Sequence, residues 1–311
     1  MRLIISNSLN PYFNLAAESY LLHHCSEDVM MIWRSEKAVV CGKHQNVCAE
    51  ANFKFCRENQ IQIARRLSGG GTVFHDLGNI NFTFIKNLKE GIEKAVNYKQ
   101  FLEPVRSVLH DLDIPTTYSH RDDLLLNGLK ISGNAQHIYQ KGMRLLHHGT
   151  LLYSSDLKSL NTSIHSKGKY EGKSVPSNRS EVTNIIEHKN WGSVDAFLNV
   201  LKLGFEQFWG TEFRELSDTE IYEIQSIQNE KFETEKWIVG YSPKYTHTRT
   251  FSTSQGIISI EMYVVDGVIQ RFEYSSDQDF EFNGLEGEEL TMSNLQKAFP
   301  QLDELELLEF F

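Results

Sequence analysis

Cysteine is scarce: the chain has four in 311 residues, Cys25, Cys41, Cys48 and Cys56, and none after position 56. With no C-x-x-C pair and no histidine-spaced partner set, they argue against a zinc site and for reduced thiols that pack as small apolar side chains. Positive charge is also short. Lys and Arg number 31 against 41 Asp and Glu, a formal charge of −10, which argues against general binding to nucleic acid or anionic membranes but leaves room for a local basic pocket. The opening MRLIISNSLNPYFNLAAES is interrupted by Ser6, Asn7 and Asn10. Neither a signal h-region nor a membrane span fits there, and a cytoplasmic location is expected. H-E-x-x-H, G-x-S-x-G and a dinucleotide-type G-x-G-x-x-G are all missing, so hydrolase and dehydrogenase readings lose support. There is no low-complexity tract, and 40% hydrophobic with 23% charged residues is the balance of a folded globular protein.

The chain exceeds the common single-domain size of roughly 100–200 residues, so one large domain with a small one is expected. Met30–Trp33, Ala38–Cys41 and Ile80–Ile85 read as strands, the last following a Gly78-Asn79 turn. Apolar residues at helical spacing predict helices over Tyr98–Leu112 and Val194–Trp209. Leu124–Leu126, Lys130–Ser132 and Gly149–Tyr153 look like further strands of one large mixed sheet, without a repeating βαβ pattern. The fold class is therefore α+β rather than doubly wound α/β. Beyond a charged, amphipathic stretch, Ser217–Glu235, three strands (THTRTF, GIISIEMYVV, VIQRFEYSS) and an Asp266-Gly267 hairpin turn predict a separate small unit. Glu288–Phe299 and Leu302–Phe311 read as two closing helices. The division expected is residues 1–228 and 237–311, with a linker at about 229–236.

Chemistry concentrates in three segments. Arg65 to Asp76 reads RRLSGGGTVFHD. Backbone N–H groups of a glycine loop can turn toward an anion, and Arg65 and Arg66 supply bidentate donors for a phosphate or carboxylate. No G-K-[ST] follows, so this is not a P-loop, and three glycines alone fit a plain turn. Asp122 to Ala135 reads DDLLLNGLKISGNA and sets one lysine, Lys130, among apolar neighbours. It is either a strand-edge lysine or a point charge placed where negative charge develops on a transferring group. His147-His148-Gly149 sits on a predicted strand, where neighbours point to opposite faces; the pair does not suit a metal, and one histidine should line the core or a pocket.

Together these segments resemble the lipoate–protein ligase A family, within the wider biotin and lipoate ligase fold. The likeness rests on an ordered set of stretches: PYFNLAAE at 11–18, VVCGKHQN at 39–46, ARRLSGGGTVFHDLGNINFTF at 64–84, LKISGNA at 129–135, HHGTLL at 147–152 and SVPSNRSEVTN at 174–184. The tail from Trp237 is similar to the family's small accessory domain. The resemblance implies that Arg66, Gly71, Thr72, Val73, Phe74, Lys130, Ser174, Val182 and Thr183 contact ATP or the adenylate. It likewise assigns Arg65, Ser68, Gly70, His75, Lys130, His148 and Gly149 to lipoate, with Lys130 as the catalytic residue touching both the carboxyl and the α-phosphate. The stretch 174–184 would be the adenylate-binding loop, longer here than the family's shorter form.

The implied reaction has two steps: lipoate and ATP form lipoyl-AMP and pyrophosphate, then a carrier lysine takes the lipoyl group and AMP departs. ATP and lipoate are the substrates, and Mg2+ is expected with the phosphates; Asp122 and Asp123 are the candidate metal ligands, without a secure set. Lipoyl carrier domains of 2-oxoacid dehydrogenase E2 subunits and the glycine-cleavage H protein are the implied partners. Where the family has Arg-Asn-Asp, this chain has Arg121-Asp122-Asp123. A carboxylate near a triphosphate is repulsive, so a lipoyltransferase that uses preformed lipoyl-AMP stands as the alternative. A cysteine-dependent octanoyltransferase lacks a thiol after Cys56, and a non-catalytic lipoate-binding protein would not need Lys130.

Overall fold

The computed structural model describes residues 1–88, 97–164, 168–177 and 180–311. Its frame is a six-stranded mixed sheet in the order β10 (Asn134–Tyr139), β11 (Arg144–Leu152), β6 (Asn79–Asn87), β2 (Val29–Trp33), β1 (Arg2–Ile5) and β13 (Phe213–Glu215). β1 runs parallel to β2 and β13, and the other pairs are antiparallel. Side chains alternate across a strand, and here the alternation separates two cores. Met30, Ile32, Phe82, Phe84, Leu145 and Leu151 point to one face, under the helices Tyr98–Asp111 and Val194–Trp209. Burying such a side chain contributes about 1.5–3 kcal/mol. Met31, Trp33 and Leu146 point to the other face, toward the helix Pro11–His24. That helix starts where Asn10 Oδ1 accepts the Tyr12 and Phe13 N–H groups, with Pro11 in its first turn.

A second sheet, β4 (Gln62–Arg65), β3 (Ala38–Cys41) and β5 (Val73–His75), carries the glycine-rich connection between β4 and β5. β8 (Leu124–Leu126) and β9 (Leu129–Ser132) were expected in the large sheet. They instead form a small sheet of their own with β7 (Thr117–Tyr118). The Asn127-Gly128 turn joining them, with φ of 51° and 85°, closes a two-residue hairpin, and that hairpin consumes the pairing a larger sheet would have used.

In the last quarter β14 (Tyr245–Ser252), β15 (Ile257–Val265) and β16 (Val268–Ser276) form an antiparallel sheet, and Asp266 and Gly267 both have positive φ as a type I′ turn requires. β12 (Lys169–Gly172), from well before residue 228, adds to its edge beside β14. The helix expected over Glu288–Phe299 is shorter, Met292–Ala298, because Glu289 forms a β-bridge with Val268 and Thr291 caps the helix start. Leu302–Phe311 likewise reduces to a helix at Glu304–Leu307 and a 3-10 turn at Leu308–Phe310. The stretch expected to be a linker is wound: Asp218–Ile227 is helical, Gln228–Phe232 makes a π-helical turn, and Phe232 is fully buried. One apolar cluster runs through both parts, from Phe13 and Val39 to Ile260 and Phe310. No helix among the described residues is long and apolar enough to cross a membrane.

Candidate active site

A cavity of about 280 Å³ lies between the inner face of the large sheet and the glycine loop. Gly70, with φ of +84°, turns the loop through a conformation that disfavours a side chain. A Cβ on Gly42 would lie 2.1 Å from the Gly70 carbonyl oxygen, so the loop packs directly onto the VVCGKHQN backbone.

The two arginines have separate fates. Arg65 is fully buried, and Nε, Nη1 and Nη2 all donate: to the carbonyls of Trp237 and Ile238, those of Gly42, Lys43 and Gln45, and the Ser242 hydroxyl. It does not line the cavity. The lipoate contact implied for Arg65 is therefore corrected: its donors are committed to tying the loop to the segment Trp237–Ser242. Arg66 does line the cavity and holds the loop's shape by donating to Val40 O (2.9 Å), Gly69 O and Gly71 O (both 2.7 Å) and Ser68 Oγ (3.0 Å). Burial draws its pKa down to about 10, which leaves it cationic at neutral pH. None of these partners is a carboxylate, so a cation inside the protein faces a cavity with its charge uncompensated by direct pairing.

Lys130 stands at the cavity, with Nζ 3.1 Å from Asp123 Oδ1. Its backbone is fixed from the far side, where its N–H donates to Glu181 O and its carbonyl accepts the Thr183 N–H, a parallel bridge to Val182. Val182 and Thr183 thus support Lys130 through the main chain and do not line the cavity. Arg121 and Asp123 line it and Asp122 does not. Asp122 sits at φ +58°, a turn conformation that Asn and Asp tolerate better than most residues, with its carboxylate 3.9 Å from Lys99 Nζ.

His147 and His148 do point to opposite faces. His147 stacks on Phe101 at 5.1 Å in the outer core. His148 faces the cavity, with Nε2 2.6 Å from Ser68 Oγ and Nδ1 2.9 Å from Glu18 Oε1. Glu18 in turn accepts the Thr83 hydroxyl, and Thr83 accepts the Trp33 indole N–H. Ser68 is fully buried and does not line the cavity itself; its hydroxyl contacts two residues that do, His148 and Arg66. On β5 the same alternation turns Val73 and His75 to the cavity, while Phe74 packs into the core beside β3. Burial, with Arg66 and His148 nearby, pushes His75 down to about 3, so its ring is neutral. Gly149 lines the cavity, and a Cβ there would lie 2.1 Å from Asn134 Oδ1, so no side chain fits at this position.

Val175, Pro176 and Ser177 close the cavity from the later loop, and Ser174 stands just outside it. Ser177 Oγ donates to Glu50 and accepts the Thr72 N–H (2.8 Å), and Gln45 Nε2 donates to Val175 O (3.1 Å) and to Ser177 Oγ (3.0 Å). Asn178 and Arg179 of SVPSNRSEVTN lie outside the described residues. A wider cleft of about 1180 Å³ lies elsewhere, between Lys37, Arg57, Ile61 and the C-terminal Phe311. Of the motif residues it holds only Tyr12, Asp76, Leu77 and Gly78.

Sequence reasoning missed Trp33, Asn81, Arg121, Thr150 and Ser177, all of which line the cavity. Register supplies the signal for three of them, since Trp33, Asn81 and Thr150 lie opposite one another on adjacent strands. Among the described residues no three His, Cys, Asp or Glu side chains come together to hold a metal ion, and Asp123 is already paired with Lys130. Asp122 and Asp123 therefore do not form a metal cage.

A cavity with a cationic mouth, an apolar interior and a glycine loop on one wall suits an acid with an apolar tail joined to a phosphate-bearing group. Comparison with known proteins agrees. The lipoyl protein ligase A/B catalytic domain matches residues 10–206. The chain is 34% identical over 281 residues to the lipoate-protein ligase LplJ of Bacillus subtilis (strain 168), covering 85% of this chain and 81% of that one. Its fold superposes with a TM-score of 0.65 on P. falciparum LipL1 in complex with lipoate, at 24% identity and covering 89% of this chain and 84% of that one. The same score and identity relate it to a lipoate-protein ligase A bound with ATP, covering 77% of this chain and 98% of that one. This chain belongs to the lipoyl protein ligase A/B catalytic-domain family.

Proposed function

We propose that this protein is an ATP-dependent lipoate–protein ligase that forms lipoyl-AMP and transfers the lipoyl group to a lysine of a carrier domain. The observation that carries the reading is Lys130, held by Asp123 and lining one cavity with the glycine loop and Arg66. A lipoate carboxylate oxygen attacks the α-phosphorus of ATP and pyrophosphate leaves. The carrier amine then attacks the acyl carbon of the mixed anhydride, its proton goes to solvent, and AMP leaves. Both transition states gather negative charge on oxygen between Lys130 and Arg66, fixed donors that need no reorganisation as the charge grows. Gly71, Thr72 and Val73 would meet the nucleotide, mainly through their backbone, with Phe74 packed in the core beneath them. Gly70, His75, His148 and Gly149 would line the acyl chain, and Ser174, Val182 and Thr183 would frame the adenylate. Mg2+ fits as the counter-ion that arrives with the ATP phosphates rather than one bound in a protein cage. Carrier domains of E2 subunits and the H protein are the proposed acceptors, in the cytoplasm.

The transferase alternative rested on a carboxylate beside the triphosphate, and Asp122, which raised it, does not line the cavity. Lipoate-dependent exchange of pyrophosphate into ATP tests the choice: its absence, alongside transfer from synthetic lipoyl-AMP, would make the protein a transferase. Lys130→Ala is expected to fold normally and to lose about 10²–10³ in exchange rate, and a rate near that of the wild type would remove Lys130 from the chemistry.

A further inference from the structure

We propose that Glu18 is a positioning residue for adenylate formation: acting through His148 and Ser68, it fixes the hydrogen-bond direction that holds the Arg66 guanidinium at the cavity. This rests on the ligase reading. Glu18, the last residue of PYFNLAAE, is 1% exposed and does not line the cavity itself. Two hydrogen-bonded arms meet at its carboxylate, and each begins at a group that can only donate. From one side the Arg66 Nε–H donates to Ser68 Oγ (3.0 Å). Ser68 then has its own proton for its other neighbour, His148 Nε2 at 2.6 Å. That nitrogen must accept, which puts the ring proton on Nδ1, 2.9 and 3.0 Å from the two Glu18 oxygens. From the other side the Trp33 indole N–H donates to Thr83 Oγ1 (3.1 Å), whose proton goes to Glu18 Oε1 (2.6 Å). A carboxylate, which accepts on both oxygens, closes both arms.

The first arm ends on a group that the reaction uses. A guanidinium has five N–H donors. In Arg66, Nε is held by Ser68, Nη2 serves Gly69 O and Gly71 O, and Nη1 serves Val40 O. With no second acceptor for Nη1 among the described residues, one N–H is left for a ligand, and its direction is that of the guanidinium plane, which the Nε bond helps to set. An amide at position 18 would turn an N–H toward His148 Nδ1 and drive the ring proton to Nε2. That proton would then face the Ser68 hydroxyl, which loses its acceptor, and the hold on Arg66 Nε would slacken. Buried polar chains are coupled in this way because each member depends on its neighbours for satisfaction.

The test combines NMR of the ring nitrogens in the ligand-free protein with lipoate-dependent pyrophosphate exchange. At neutral pH the His148 ring, assigned by loss of its signals in His148→Gln, should carry its proton on Nδ1 in the wild type and on Nε2 in Glu18→Gln. Glu18→Gln should lower kcat for exchange on the order of tenfold, with KM for lipoate and for ATP staying within about threefold. Ser68→Ala, which cuts the arm between His148 and Arg66, should lose a similar factor. The double variant should be no slower than Ser68→Ala alone, because both changes break one chain. A wild-type proton on Nε2, an unchanged kcat in Glu18→Gln, or losses that multiply in the double variant would overturn the inference and leave the ligase reading in place. An unchanged kcat in Ser68→Ala overturns it too, which keeps the test open to failure should Glu18→Gln not fold. No exchange in the wild type would instead defeat the ligase reading, and this role with it.

Discussion

At the scale of single residues, two adjacent arginines on one motif do different work. Arg65 replaces water for five backbone carbonyls and one hydroxyl, whereas Arg66 presents its charge to the cavity. Arg65→Leu would strand those carbonyls in the interior, where each unpaired group costs about 1–3 kcal/mol. We expect urea denaturation to show a loss of at least about 3 kcal/mol, and a loss below about 1 kcal/mol would contradict the structural role. Lysine in its place should recover little, because a single ammonium cannot span both sides as a planar fork does. Both arginines are plain in the sequence, but which of them is committed to carbonyls was not, because the acceptors at Trp237 and Ile238 lie 172 and 173 positions away.

At the scale of elements, strand alternation was legible and useful. It sends His148 to the cavity and His147 to the core, and the same rule would have turned Phe74 away from the nucleotide between Val73 and His75. The loop after β12 was readable as a motif but not as a closure. Ser177 joins it to the glycine loop through Glu50, Thr72 and Gln45, three contacts that no spacing reveals. Ser177→Ala or Glu50→Gln should loosen this closure and release adenylate several-fold faster in stopped flow. Melting should move by no more than about 1 kcal/mol equivalent, since the residues are only half-buried. An unchanged release rate would show that the contact does not hold the cavity shut.

For the molecule as a whole, we propose that residues 1–228 carry the chemistry and 237–311 form an accessory unit. The accessory part braces the glycine loop through Arg65, and its sheet is completed by β12. Stability should also respond to acid. Burial lowers His75 and His247 to about 3, His137 to about 4, and His147 well below its ordinary value. Each is neutral when folded and takes up a proton near pH 6.5 when unfolded, so the unfolded state binds more protons between these limits and stability falls as pH falls. The expected result is a melting temperature that is flat above about pH 7 and declines steadily from pH 6.5 toward 4. Each of these histidines adds a slope approaching about 1.4 kcal/mol per pH unit. A flat profile across that window would show that they are protonated in the folded state.

By itself the sequence determined the family, the α+β class, the glycine loop, Lys130 and the main helices, because local periodicity and ordered motifs carry that information within short windows. Tertiary structure alone decided which arginine faces the cavity, that β8 and β9 leave the large sheet, and that Asn81 and Trp33 line the cavity. Those outcomes depend on strand register and on hydrogen bonds between residues far apart in the chain, which come together only when the sheets pack.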